Sequence, residues 1–215
     1  MRLDPAAPPL SPVIPISVLR SVCVYCGSGT GTDPAFAAAA EALGRSMGEA
    51  GLNLVYGGGD VGLMGTVARG VLAGGGHVTG IIPDFLKRRE RMLDEAQETI
   101  VVPDMHTRKQ MMFERADAFV ALPGGIGTLE ELVEQMTWSQ LGRHRKPILL
   151  LSVNGFWRPL LTLLAHMREQ GFIREGLELN YLVAERVEEV IPMLTQAASR
   201  AEPRPGAAEA IETRF

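Results

Sequence analysis

The sequence predicts a doubly wound α/β fold, a parallel sheet with helices on both faces, and three observations predict it. Short, nearly continuous apolar runs alternate with stretches of helical length, the pattern of parallel strands buried on both faces and joined by helical crossovers. Glycine-rich or polar loops follow three of those runs directly, at the strand ends where such sheets meet their ligands. The chain's 215 residues, 46% of them hydrophobic, suffice for one domain with a sizeable core. Together these describe a Rossmann-like three-layer sandwich, a single domain over residues 20–198 with no internal repeat.

The elements follow in order. Strands are expected at Val22–Tyr25, Leu52–Tyr56, His77–Ile82, Thr99–Val102, Ala118–Leu122 and Pro147–Leu151, each a compact run of apolar and β-branched residues. Helices are expected at Pro34–Ala50, Leu63–Ala73, Met105–Arg115, Thr128–Leu141 and Phe156–Gln170. A last amphipathic helix, Val187–Gln196, turns Val190, Ile191 and Leu194 inward. Residues 1–19, with four prolines before Pro15, are expected to form a flexible arm, and residues 199–215 an equally loose tail.

Composition narrows the function classes. A net charge of −4 and the lack of a long basic run argue against a nucleic-acid partner. The one dense basic patch, Lys87-Arg88-Arg89-Glu90-Arg91, is broken by an acid and reads either as a solvated face or as one edge of an anionic substrate cleft. No apolar stretch approaches the roughly 20 residues a bilayer requires, and no secretory signal core stands at the start, so no membrane is expected and the cytoplasm is the default location. Cys23 and Cys26 spell C-x-x-C, but within a strand. Positions three apart there face opposite sides, so two reduced, buried thiols are expected rather than a redox pair or a zinc site.

The densest chemical signal is Leu122-Pro123-Gly124-Gly125-Ile126-Gly127-Thr128-Leu129-Glu130-Glu131. A buried strand runs into glycines and then into a helix. Bare backbone N–H groups and the positive end of a helix dipole make that a phosphate seat, with two carboxylates about one turn beyond. Gly27-Ser28 and Gly57-Gly58-Gly59 supply further loops on the same rim, and Met64 follows close behind. Gly57 to Gly62 also satisfies G-x-G-x-x-G, with Asp84 near the distance of a ribose-binding acid. The fingerprint follows the second strand rather than the first, and Asp84 comes after Pro83, past its strand, so dinucleotide binding is set aside. A Walker loop is absent, since no G-K-[ST] occurs. Glu131 itself stays ambiguous on spacing alone: Thr128-x-x-Glu131 spells a capping box as readily as it places a catalytic acid. The stripe Leu129, Leu132, Val133 and Met136 puts Glu131 on the helix's other side, free to face a cleft.

Pro123-Gly124-Gly125-Ile126-Gly127-Thr128-Leu129-Glu130-Glu131 fits P-G-G-x-G-T-x-x-E, and the chain resembles the LOG ("Lonely Guy") family on that signature. The likeness extends through Cys26-Gly27-Ser28, Tyr56-Gly57-Gly58-Gly59, Gly62-Leu63-Met64-Gly65, Met105-His106-Thr107-Arg108-Lys109 and Thr137-Trp138-Ser139-Gln140-Leu141-Gly142, and it leaves out both termini. The resemblance implies hydrolysis of the N-glycosidic bond of a cytokinin riboside or purine nucleoside 5′-monophosphate such as AMP, giving free base and ribose 5-phosphate. It implies no redox cofactor, no metal, and a homodimer. Arg108 and Glu131 match the family's catalytic pair; Glu90, Lys109, Gly124, Gly125, Ile126, Gly127, Thr128, Leu129, Glu130 and Thr137 match substrate-contacting positions. Ile126 stands where plant members often carry an aromatic residue, a difference that bears on base preference rather than on the reaction.

Cleavage through an oxocarbenium-like sugar suits these residues. A carboxylate at Glu131 can bind ribose hydroxyls and orient water, while the planar guanidinium of Arg108 orients and stabilises. Members of this family are often labelled lysine decarboxylases, but no lysine stands in a recognisable Schiff-base setting. His106 has no visible partner, and Met111, Met112 and Phe113 are expected in the core or at a subunit interface. A non-hydrolytic nucleotide-binding or sensing protein on the same scaffold is the alternative; it would need the glycine loops but not the Arg108 and Glu131 pair.

Overall fold

The computed structural model describes residues 19–87, 92–174 and 178–201. Seven strands form one all-parallel sheet: β1 (Ser21–Tyr25), β2 (Asn53–Tyr56), β3 (Val78–Pro83), β4 (Glu98–Val102), β5 (Ala118–Ala121), β6 (Ile148–Leu151) and β7 (Leu182–Ala184). Between and after them lie α1 (Pro34–Glu49), α2 (Gly62–Ala73), the single turn α3 (Asp84–Lys87), α4 (Met105–Arg115), α5 (Ile126–Gln140), α6 (Arg158–Glu169) and α7 (Val190–Ala201). Every strand and helix expected from the pattern is present. β7 and α3 were not foreseen: three strand residues and four helical ones are too few to carry a period.

The sheet order is β4-β3-β2-β1-β5-β6-β7. The chain builds outward from β1 to β4, then returns to lay β5 against the other side of β1, with Val22 opposite Ala118 and Tyr25 opposite Ala121. Side-chain alternation along β1 divides the core. Val22 and Val24 join the α1, α2 and α7 layer, whereas Cys23 and Tyr25 join the layer of α4, α5 and Trp157. The two cysteines accordingly sit on opposite faces as buried free thiols, and burial pushes both far above the ordinary thiol range. No C-x-x-C chemistry follows.

Two helices of the first layer touch backbone to backbone. A Cβ on Gly44 or Gly48 of α1 would overlap the carbonyl oxygen of Val67 or Val71 on α2. One on Gly70 would stand 2.6 Å from the Glu41 carbonyl. This close crossing fixes α2 under the loop that follows β2. At the chain ends, Leu19 is already buried in the core, and α7 continues through residues 199–201, which were expected in the tail. The remainder of the expected arm and tail lies outside the described residues, as does Glu90.

Candidate active site

Adjacent strands whose following helices go to opposite faces leave a crevice between their loops. β1 and β5 are that pair, because α1 covers one face and α5 the other. Backbone bonds tie the loops at its base: Leu122 N–H donates to the Tyr25 carbonyl at 2.9 Å and Gly27 N–H to the Pro123 carbonyl at 3.0 Å. Above them opens a cleft of about 360 Å³, lined by Gly27, Ser28, Gly57, Met64, Met105, Arg108, Gly125 to Thr128, Glu130 and Glu131, with Val24 and Cys26 in its floor.

The helix that points into this cleft starts earlier than its sequence spacing indicated. α5 begins at Ile126 with Gly125 as N-cap and no side-chain cap, and its first backbone bond runs from Leu129 N–H to the Gly125 carbonyl at 3.0 Å. The N–H groups of Ile126, Gly127 and Thr128 therefore have no intrahelical acceptor, and no acid stands in the first turn to offset the dipole. Thr128 is inside the helix rather than at its cap, so the Thr128–Glu131 capping box does not form. Glu131 has a different partner.

That partner is Arg108, whose Nη2 lies 3.3 Å from Glu131 Oε1 across the α4–α5 junction. Both side chains are about nine-tenths buried. Burial raises the Glu131 carboxyl above the ordinary carboxylate range, and Arg108, pulling the other way, does not cancel it. Arg108 is otherwise thinly held: Nη1 is 3.7 Å from Met105 Sδ, and Nε is buried with no partner. Beside this pair, Lys109 Nζ is clamped between Glu130 at 2.5 Å and Glu134 at 2.9 Å. Burial works to lower the lysine's pKa, but the two carboxylate hydrogen bonds prevail and raise it.

The structure thus brings Arg108, Glu131, Glu130, Ile126, Gly127, Thr128 and Gly125 together around one cleft with Gly27, Ser28, Gly57 and Met64. Other expected positions fall elsewhere. The side chain of Leu129 packs inward against the core layer of Cys23 and Tyr25. Gly124 lines an adjoining hollow toward Phe36 and Phe156. Lys109 stands behind the rim in its carboxylate clamp, and Thr137 is exposed on α5 with its hydroxyl donating to the Val133 carbonyl. Gly58 and Gly59 pair with the segment Met92–Leu93 instead of facing the cleft.

The expectation that Glu131 sits opposite the apolar stripe needs correction. Glu131 shares the buried face of α5 with Thr128, Leu132, Gln135 and Met136, whereas Val133 is 41% exposed. The cleft cuts into the buried face, so an inward carboxylate is one that lines the cleft. Sequence reasoning passed over Met105, one turn before Arg108, and Glu134, one turn after Glu130; their i,i+3 and i,i+4 spacing is the signal that places them on the same helix faces.

The G-x-G-x-x-G loop proves to be a support for its neighbour. The Leu63 N–H at the start of α2 donates to the Gly27 and Gly29 carbonyls, and a Cβ on Gly62 would overlap the Ser28 carbonyl. The Leu63 donor at the helix start, which could have met a pyrophosphate, is thus engaged by the first loop. A larger cavity, about 550 Å³, lies at the opposite end of the sheet around His144, Lys146 and Tyr181, but none of its described lining residues is a carboxylate.

A Rossmann-like α/β protein with an anion-ready helix N-terminus and a buried guanidinium–carboxylate pair at its switch point is the class that fold and site define. Comparisons with known proteins narrow it. A family model described as "Possible lysine decarboxylase" matches residues 64–194. The probable cytokinin riboside 5′-monophosphate phosphoribohydrolase LOG4 of Oryza sativa subsp. japonica is 47% identical over 181 residues, 84% of this chain and 79% of that protein. The cytokinin riboside 5′-monophosphate phosphoribohydrolase LOG7 of Arabidopsis thaliana is 46% identical over 157 residues, 73% of this chain and 72% of its own. The chain belongs to the LOG family.

Among solved structures, the molybdenum cofactor binding protein from Rippkaea orientalis superposes with a TM-score of 0.64 at 22% identity, covering 83% of this chain and 96% of that one. The Moco carrier protein from Chlamydomonas reinhardtii gives 0.63 at 21% identity, covering 85% and 99%. These two share the fold. As for the decarboxylase label, none of the three lysines lines the cleft: Lys109 is clamped by carboxylates, Lys146 donates to the Phe113 carbonyl, and Lys87 ends α3 on the surface.

Proposed function

We propose that this protein hydrolyses the N-glycosidic bond of nucleoside 5′-monophosphates, AMP or a cytokinin riboside 5′-monophosphate, releasing the free base and ribose 5-phosphate. The observation that carries the reading is the buried Arg108–Glu131 pair, 3.3 Å apart, in the cleft that the open N-terminus of α5 enters. A phosphate bound to the N–H groups of Ile126 to Thr128 puts the ribose beside the pair. As the C1′–N bond breaks, its electron pair leaves with the base. The Glu131 carboxylate stabilises positive charge on the sugar and takes a proton from the water that adds to C1′; that proton is passed on through solvent to the departing base, which regenerates the carboxylate. A carboxyl whose pKa is raised suits that exchange. Arg108 holds Glu131 and orients the ribose. The LOG relatives carry the same activity in their names.

The proposal includes a cytoplasmic homodimer. Thr137 is about 9 Å along α5 from Glu131 at 1.5 Å per residue and does not line its own chain's cleft. It lies on an exposed stripe with Val133 and Leu141, the latter 69% exposed. Pairing of two copies along that stripe would bring Thr137 toward the partner's site, consistent with the substrate-contacting role that the family resemblance implies for it.

Incubation with AMP and with isopentenyladenosine 5′-monophosphate, followed by chromatography, tests the reaction. Free base is expected from wild type and about 10²–10⁴-fold more slowly from Glu131→Gln. No base from any nucleoside monophosphate, with tight AMP binding, would replace this reading by that of a carrier or sensor.

A further inference from the structure

We propose that Gly57 is a positioning residue for Arg108: the missing side chain opens the slot through which the guanidinium reaches Glu131. This rests on the reading that the Arg108–Glu131 pair performs hydrolysis. Gly57 was expected to serve as one more phosphate-loop glycine, yet its neighbours assign it another task.

Two glycines of its loop need their residue type for backbone reasons. Gly58 has φ +84° and Gly62 φ +63°, where a side chain is strained. Gly57 does not lie in that region, so its backbone admits alanine. What excludes a side chain is Arg108. A Cβ on Gly57 would overlap Nη2, the nitrogen that pairs with Glu131, and would lie 3.4 Å from Cζ and 3.2 Å from Met64 Sδ. These three nearest atoms all belong to the far ends of flexible side chains. An alanine can therefore be housed by moving the guanidinium, which leaves the fold intact and disturbs the pair.

Little else would hold Arg108 in place against such a push. Its partners are the Glu131 carboxylate, an ion pair at 3.3 Å, and the Met105 thioether at 3.7 Å, while Nε is buried and makes no hydrogen bond. The guanidinium is thus located by the space left at Gly57 and by the contacts to Glu131 and Met105, with few bonds to resist displacement. A fixed, prearranged charge is worth more in a dry cleft than one free to swing.

The experiment measures Gly57→Ala against wild type and Arg108→Ala with AMP as substrate, by kcat, KM and Tm, and determines the Gly57→Ala crystal structure. The expected result is a fall in kcat of about 100-fold, the scale for a displacement of about 1 Å in a catalytic group. KM should stay within about threefold, because the α5 phosphate seat is untouched, and Tm should move by less than about 2 °C. In the crystal structure the guanidinium should stand beyond 4 Å from Glu131. Unchanged kcat in Gly57→Ala while Arg108→Ala is inactive overturns the inference. So does a Tm that falls with the activity, or a rise in KM alone, which would mean that the methyl group merely blocks substrate. If Arg108→Ala or wild-type protein shows that Arg108 plays no part in hydrolysis, that functional reading fails instead. The crystal structure then decides the positioning role by itself: a displaced guanidinium supports it and an unmoved one overturns it.

Discussion

Glu131 is held in a state that costs the folded protein free energy at neutral pH. A carboxyl whose folded pKa is raised binds its proton more tightly folded than unfolded. Stability is therefore greatest with Glu131 protonated and falls as pH rises from the unfolded value, about 4.3, through the raised folded value. Glu131→Gln should abolish that part of the fall, seen as a flatter urea midpoint between acid and neutral pH. It should also cut kcat by about 10²–10⁴-fold, the range for an acid–base group. Arg108 lowers the same pKa, so Arg108→Met should move the acid limb of kcat/KM in wild type to higher pH in the variant. A pH–rate profile on AMP checks the direction. A limb that stays in place would show that the two charges do not communicate.

At the scale of elements, two contacts set where the site residues stand. The α4–α5 junction is closed by Lys109 between Glu130 and Glu134, with the lysine side chain 16% exposed and that of Glu134 21% exposed. Lys109→Met leaves two carboxylates facing each other without a cation and removes a charge that lowers the Glu131 pKa. A loss of about 1–2 kcal/mol is expected, measured by chemical denaturation, together with reduced kcat. The α1–α2 crossing is the other contact. Gly44→Ala puts a methyl group into the Val67 carbonyl, a backbone atom that cannot swing aside, and should cost about 1–3 kcal/mol by the same measurement. At Gly57, by contrast, the obstructed atoms are the ends of flexible side chains, so the loss is expected in activity rather than in stability.

For the whole molecule, the exposed stripe of Val133, Thr137 and Leu141 on α5 bears on assembly. Val133→Asp places a charge at one end of the stripe, one turn from Thr137, without touching the buried face of the helix. If two copies pair there, sedimentation should show a dimer for wild type and a monomer for the variant, with activity falling as Thr137 is withdrawn from the partner's site. A variant that remains dimeric would assign the contact to another face.

The fold was largely legible because parallel strands buried on both faces leave unbroken apolar runs, and Ala118-Phe119-Val120-Ala121 can hardly be anything else. β7 was not, since Leu182-Val183-Ala184 is a strand only because β6 offers it an edge. The site residues were legible where backbone chemistry is local, as in Gly125 to Thr128. They were ambiguous where it is not. Thr128-x-x-Glu131 is the same string whether the helix starts at Thr128 or two residues earlier, and only the observed start at Ile126 removes the cap reading.

By itself, then, the sequence determined a doubly wound sheet and the anion-ready loop after β5, because periodicity, glycine content and motif spacing are properties of neighbouring residues. The glycosidic roles of Arg108 and Glu131 came from the family resemblance. Tertiary structure decided which of those residues meet. It turned Glu131 inward onto Arg108, made the G-x-G-x-x-G loop a prop for its neighbour and gave Gly57 a guanidinium to accommodate. Those outcomes depend on strand order and helix crossing, which bring residues far apart in sequence to within a few ångströms, and no spacing rule along the chain encodes such distances.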